Sequence, residues 1–415
     1  MNGPLTTNDG VVFGCLCLIL AFVFQSARSR HPYFRRFYGI VPPLLICYFA
    51  PSLLTSLGIY DPDQSQVYYV ASRYLLPASL VLLTVSTDLK EILRLGPKAI
   101  IVFLAGTFGV VLGGPVSLYL MQWVWPDAVA GFGDDAVWRG MATVAGSWIG
   151  GGANQTAMKE VFEVNESMFS AMITVDVLVA NVWMAFLLFG VPRAEKIDRW
   201  NGADASIIAD LKEKLVLRQE GKERVPQVAD LFLLMAIAFG VTAFAHFCAD
   251  LIAPWITAHA PGLARFSLTS SFFWLVVIAT SGGILLSMTR ASQLESVGAS
   301  KLGTVFLYVL IASIGMKMDV FAIFEHKGLF LMGMIWILIH GLVLFSVAWI
   351  VKAPFFLVAV GSQANIGGAA SAPVVAGAFH PSLAPIGVLL AVLGYGVGTY
   401  AAYFCAQLMR VLSGG

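Results

Sequence analysis

The chain is dominated by long apolar runs. They lie near residues 11–27, 38–58, 69–87, 99–124, 139–163 and 166–191, then 228–255, 268–288, 301–317, 328–351, 354–379 and 383–411. A helix needs about 20 largely apolar residues to cross ~30 Å of hydrocarbon. Continuous runs of this kind read as helices, which satisfy their own backbone hydrogen bonds in lipid. Composition agrees: 58% of the residues are apolar and 12% are charged, against roughly 25% charged in soluble domains. The twelve runs predict an all-α polytopic membrane protein. A net charge of +1 argues against nucleic acid as a partner, which calls for a strongly basic face. The lipid bilayer is the expected surrounding. Cys15, Cys17, Cys47, Cys248 and Cys405 lie in apolar stretches without a CxxC spacing and read as packing residues.

The run from Val11 has no basic residue before it and Arg28, Arg30, Arg35 and Arg36 after it, the reverse of a secretory signal. The positive-inside rule then predicts an N-terminus outside and these arginines in the cytoplasm, in a multi-pass plasma membrane protein of the bacterial inner-membrane kind. Residues 192–227 are hydrophilic, with Arg193, Lys196, Arg199, Lys212 and Lys214 among interleaved acids. They read as a cytoplasmic linker between a first repeat with its leading helix (1–191) and a second repeat (228–415).

The repeat rests on landmarks in the same order. Gly146-Ser147 opens GSWIGGGANQTAM, and Gly361-Ser362 opens GSQANIGGAASAP. Upstream, Asp88–Leu89 in the first half answers Asp319–Val320 in the second. Such ordered self-similarity is a fold-level signal. Cations follow the odd runs in the first half (Arg28–Arg36; Lys90, Arg94, Lys98) and the even runs in the second (Arg290, Lys301; Lys352; Arg410). That switch predicts two inverted repeats, whereas twelve plain crossings would make the copies parallel. The charge rule outweighs the count, so either the glycine-rich runs do not fully cross or a crossing near 192–258 is miscounted.

The glycine-rich runs carry the functional argument. Gly150, Gly151 and Gly152 precede Asn154, Gln155 and Thr156, with Ser147 just upstream; the second copy offers Ser362, Gln363, Asn365, Gly367, Gly368 and Ser371, with Pro373 beyond. Broken backbone at membrane depth is tolerated only where it is buried in protein or lines a wet cavity. Interrupted segments at matching positions of two halves point to a transporter's binding site. Close helix packing on small residues explains the glycines but not the polar side chains among them. Asp176 is the one acid near the centre of any run, with Thr174 and Asn181 close by. An ionisable group at that depth suggests an ion path, here a sodium or proton site; the alternative is an aspartate bonded to a helix end. His246 and His340 lack metal-ligand spacing and read as hydrogen-bonded core residues. Trp123, Trp125 and Trp138 read as an interface belt. Without HExxH, GxSxG or Walker patterns, no enzyme is expected, and ATP-driven transport would need a separate subunit.

The phrases SRYLLPASLVLLTVSTDLKEILRLGPKA, GSWIGGGANQTAM, TVDVLVANVWMA, GASKLGTVFLYVLIASIGMKMD and SQANIGGAASAPVVA with SLAPIGVLLAVLGYGVGTY resemble the YjcL-like multi-pass membrane proteins, a domain-of-unknown-function family. The likeness runs from about Phe34 to the C-terminus. That family is grouped with the cation:proton antiporters and bile-acid:sodium symporters. The resemblance implies an inverted repeat, each copy holding a discontinuous helix that crosses near the membrane centre, with a core (transport) domain and a scaffold domain. It further implies elevator-like or rocking alternating access, and scaffold helices able to form a homodimer. In the antiporters the helix after the first broken one bears the ion-binding carboxylate, a position matching Asp176 with Asn181 on the same helix. The paired acids of some antiporters are missing here, which leans the reading to symport. The expected function is a secondary active transporter, sodium- or proton-coupled, needing no cofactor. Its small-molecule solute would be a carboxylate, an amino acid or a small peptide. A cation/proton antiporter and a non-transporting membrane sensor are the rivals.

Overall fold

Each of the twelve runs holds helix in the computed structural model, which describes residues 4–38, 41, 43–61, 64–86, 95–131, 133, 136–203, 225–266, 268–317, 327–380 and 383–414. The landmarks Asp88–Leu89 and Asp319–Val320, and linker positions 204–224, lie outside the described residues. In chain order the helices are α1 (Asp9–Arg28), α2 (Pro32–Tyr38), α3 (Pro43–Ser56), α4 (Val67–Val85), α5 (Pro97–Val124), α6 (Val137–Val161) and α7 (Glu166–Gly190). After a short α8 (Ala194–Asn201) come α9 (Val228–His259), α10 (Ser271–Ser287), α11 (Ala299–Gly315), α12 (Lys327–Ile350), α13 (Phe355–Ile366), α14 (Gly368–Phe379) and α15 (Ala384–Leu412). Among the described residues 7 helices are long and apolar enough to cross a membrane, or up to 8 if the pair Ser271–Ser287 and Arg290–Val297, bent by 94°, is one span. This is a multi-pass membrane protein. Side chains close the helix starts that the sequence can cap. Asn8 accepts from Gly10 N, Asn165 from Met168 N and Ser270 from Phe273 N, meeting donors that a first turn leaves free.

The two glycine-rich runs do not cross. Within α6, Gly151 takes φ 73° and ψ −174°, and the chain doubles back there. Arg139 Nη1 donates to the Phe162 carbonyl at 2.5 Å, and the Trp138 and Phe162 rings lie 5.5 Å apart. A straight helix would separate residues 138 and 162 by ~36 Å. The arms touch at Gly146, where a Cβ would fall 2.6 Å from the Asn154 carbonyl oxygen, so only glycine fits. α13 and α14 form a second hairpin, turning at Gly367 and at Gly368 with φ 58°. Its base closes where the Phe356 and Phe379 rings stand 5.2 Å apart. Both breaks lie where the sequence puts them, but the expected discontinuous crossing is corrected to a re-entrant hairpin. The reason is geometric: an arm of about 12 residues is ~18 Å long, too short for ~30 Å of hydrocarbon, and left-handed glycine backbone turns it around.

The hairpins enter from opposite ends of the bundle. At one end, Asp9 Oδ1 accepts from Ser65 Oγ at 2.8 Å, Gln122 Nε2 donates to the Leu412 carbonyl at 3.3 Å, and Arg410 lies 5.6 Å from the Trp138 ring at the base of α6. At the other, Lys98 Nζ donates to the Lys352 carbonyl at 3.0 Å, Asn201 Nδ2 to the Ala353 carbonyl at 3.1 Å, and Phe355 N to Asp198 Oδ1 at 2.7 Å. The tips meet between these ends, since a Cβ on Gly368 would sit 3.9 Å from Gly151 Cα. Arg410 is therefore corrected as well. The charge pattern groups it with Lys352, but α15 follows a hairpin that returns, and so ends at the opposite end from Lys352.

The helices fall into two packing groups. α1, α3, α4, α9, α10 and α11 pack chiefly on one another, as do α5, α6, α7, α12, α13, α14 and α15. The joint between the groups runs through α4 and α10 against α6 and α15. Each group draws runs from both halves of the chain.

Candidate functional site at the helix breaks

Each hairpin is held near its tip by an asparagine with the same bonding pattern. Asn154 Nδ2 donates to the carbonyl four residues back, Gly150, at 3.0 Å, and to that of Tyr395 at 3.2 Å, while its Oδ1 accepts from Thr399 Oγ1 at 2.5 Å. Asn365 Nδ2 donates to the carbonyls of Gly361 and Phe103 at 3.0 Å, and its Oδ1 accepts from Thr107 Oγ1 at 2.8 Å. In both, the second carbonyl belongs to the residue four before the threonine. Such a clamp satisfies every polar atom of a buried amide, which is what burial demands. The first ties α6 to α15 and the second ties α13 to α5.

Asp176 on α7 staples the first hairpin. Its Oδ1 accepts from Trp148 Nε1 at 2.6 Å and its Oδ2 from Gln155 Nε2 at 2.9 Å, with Ser147 as a further donor. Ser147 and Trp148 precede the break and Gln155 follows it, so one carboxylate, 5% exposed, joins both arms. The matching serine of the second hairpin, Ser362, meets a different group. Its Oγ accepts from Trp183 Nε1 at 2.8 Å and lies 2.8 Å from His340 Nε2. His340 Nδ1 is 2.9 Å from the Gly106 carbonyl. A carbonyl only accepts, so Nδ1 bears the proton in neutral imidazole and Nε2 accepts from Ser362.

The remaining candidates divide. Gln363 Nε2 donates to Ser371 Oγ at 2.7 Å, and Gln363 Oε1, buried beside the start of α14, finds no partner among the described residues. α14 itself begins without a side-chain cap. Thr156, Thr174 and Asn181 bond back to carbonyls of their own helices, at Gly152, Ser170 and Val177. Thr174 and Asn181 thus stand apart from the donors on Asp176. Gly151, Gly152, Gly367 and Ser371 are half-buried, while Asn154, Gln155, Gln363 and Asn365 are buried. The tips thus reach accessible space. Around Gly151 and Gly152 stand Tyr395, Leu307 and Ile311. Among the described residues no cluster of three or more His, Cys, Asp or Glu side chains could hold a metal ion.

The family model described as "Protein of unknown function (DUF819)" matches residues 14–412. The chain belongs to this family. It is similar to the uncharacterized membrane protein YjcL of Bacillus subtilis (strain 168), 25% identical over 418 residues that cover 97% of this chain and 98% of the relative. In this DUF819 chain, sequence reasoning missed Thr107, Thr399, Trp148 and Trp183 as partners of the tips. Nothing local marks them, because a threonine or tryptophan in an apolar run reads as packing. It also missed Lys159 and Glu160, whose charges inside the run 139–163 were a visible signal.

Proposed function

We propose that this DUF819 protein is a secondary active transporter that moves a small organic solute by elevator-like alternating access. The observation that carries the reading is the meeting of two re-entrant hairpins, entered from opposite ends, at the glycines Gly151 and Gly368. Irregular backbone at membrane depth, arranged in pairs, is the usual build of a transporter's site. An inverted repeat is supported by direction. α1, α4 and α7 run from the Asp9 end to the Lys98 end, and α9, α11 and α15, their counterparts by order, run the other way. The two packing groups correspond on this reading to a scaffold (α1, α3, α4, α9, α10, α11) and a core that holds both hairpins. The scaffold is also where a homodimer would form.

The solute would meet the tip backbone. The asparagine amides are fully engaged in their clamps, whereas the uncapped start of α14 and the unmet Gln363 oxygen have hydrogen-bonding capacity to spare. A helix start favours an anionic group, which suits a carboxylate, an amino acid or a small peptide. The coupling ion is sodium or a proton, at Asp176 or on tip carbonyls. Both Asp176 oxygens accept from N–H groups, so a sodium ion there would share the carboxylate with Gln155 and Trp148 on the remaining acceptor capacity. Arg28, Arg30, Arg35, Arg36, Lys98, Arg193, Lys196, Arg290 and Lys352 follow or precede helix ends on the Lys98 side. This supports a cytoplasmic second-hairpin base, an N-terminus outside and a plasma-membrane location.

Solute uptake into proteoliposomes, under an imposed sodium or proton gradient, tests the proposal. Gradient-dependent accumulation is the expected result. A pH change on adding sodium without solute would assign antiport instead, and the absence of flux under every gradient would turn the reading to a membrane sensor.

A further inference from the structure

Away from the tips, buried charges gather at the returning arm of the first hairpin. The Lys159 and Glu160 side chains are 5% and 9% exposed. Lys159 Nζ donates to Glu166 Oε1 at 2.9 Å and to Tyr68 Oη at 2.8 Å, and it lies 4.9 Å from the centre of the Tyr68 ring. Tyr68 in turn donates to Glu160 Oε1, and Glu160 Oε2 pairs with Arg73 Nη2 at 3.4 Å. Arg73 sits in a π-helical turn, Ala71–Leu75, with its guanidinium 4.4 Å from the Phe272 ring and its carbonyl 2.9 Å from His246 Nε2. Lys317 Nζ approaches the Tyr68 ring at 5.2 Å. π-turns are rare and concentrate at functional sites.

The members divide cleanly between the two helix groups. Tyr68, Arg73, His246, Phe272 and Lys317 belong with α4, α9, α10 and α11, while Lys159, Glu160 and Glu166 belong to α6 and α7. Every bond from Tyr68 or Arg73 to Lys159 or Glu160 therefore crosses the joint. The second hairpin has no counterpart. Aligning Ser147 with Ser362 sets Val374 and Val375 at the positions of Lys159 and Glu160. Val374 is 56% exposed, and among the described residues no salt bridge ties α13 or α14 to the other group. Separating the cluster would strand charges in a low-dielectric joint unless water follows, so it favours two discrete states over a continuum.

We infer that Tyr68, Arg73, Lys159, Glu160 and Glu166 form an ionic gate. It pins the first hairpin to α4 and shuts the tips off at that end of the bundle, leaving the untethered second hairpin to yield first. The inference rests on the transport reading only in taking the tips as the place a solute reaches. Hydrogen–deuterium exchange on the full chain in lipid nanodiscs tests it, comparing the wild type with Glu160→Gln and Tyr68→Phe. Exchange over residues 152–161 and 67–75 should rise about tenfold in each variant, the factor carried by a hydrogen bond to a charged group, with residues 368–379 unchanged. Unaltered exchange in the first hairpin, or an equal rise in both, overturns the gate. Tyr68→Phe deletes one hydroxyl and keeps the packing, so it carries the test should Glu160→Gln fail to fold. Uptake by the same proteins keeps the two ideas apart: wild type that moves no solute sinks the transport reading, while the exchange pattern still judges the gate.

Discussion

At Gly151 the backbone takes φ 73° and ψ −174°, a region open in practice to glycine alone. Gly151→Ala should therefore destabilise the protein by about 1–3 kcal/mol, read as a lower midpoint of thermal unfolding in detergent. Gly240 makes the opposite case. It lies within α9, where an added Cβ would meet nothing within 4 Å, so Gly240→Ala should stabilise by about 0.5–1 kcal/mol. Asp176 supports a second comparison. Asp176→Asn puts an N–H donor among Trp148, Gln155 and Ser147, which already donate to that site. A loss of about 1–3 kcal/mol follows from the unmet groups, in the same melting assay. Gradient-driven uptake should disappear as well, and uptake that survives the substitution would remove Asp176 from the coupling role. The glycines and Asp176 were legible because each is out of place in an apolar run. Ser147 and Gln155 were legible as polar residues at the break, but their bonds to Asp176, and that of Trp148, were not, since a side chain only becomes a donor to Asp176 once the chain has turned back.

Between elements, the two asparagine clamps fix how each hairpin sits on its neighbour. Thr107→Val and Thr399→Val each delete one hydroxyl donor with little change in shape. Each should lower stability by about 1 kcal/mol. A double-mutant cycle of Thr107→Val with Asn365→Ala should give a coupling of about 0.5–3 kcal/mol, whereas Thr107→Val with Asn154→Ala should be additive within about 0.5 kcal/mol. Additivity in the first pair would dissolve the clamp. Helix identity at this scale was readable from run length, while the caps at Asn8, Asn165 and Ser270 emerged with the structure. The pairing of α6 with α15 and α13 with α5 was not, because it depends on which apolar faces meet, and apolar faces in lipid differ little from one another.

For the whole molecule, the hairpins decide which loops share a face. With α6 and the α13–α14 pair re-entrant, Glu163 lies at the end of the bundle that holds Gln64, and Lys352 at the end that holds Arg30. Twelve full crossings would exchange Glu163 and Lys352 between these faces. Cysteines placed singly at these four exposed positions should accept a membrane-impermeant maleimide in those pairs, Gln64→Cys with Glu163→Cys and Arg30→Cys with Lys352→Cys. Glu163→Cys reacting with the Arg30 side would restore the crossing. The conflict between cation parity and run count was already present in the sequence. Length, hydropathy and glycine placement determined that this chain is helical, lives in lipid and breaks twice. Whether a break bends a helix or reverses it depends on two glycine dihedrals and on what lies against them. The contact of Gly151 with Gly368, the clamps and the charged cluster at Lys159 exist only between segments distant in the chain, and tertiary packing alone decided them.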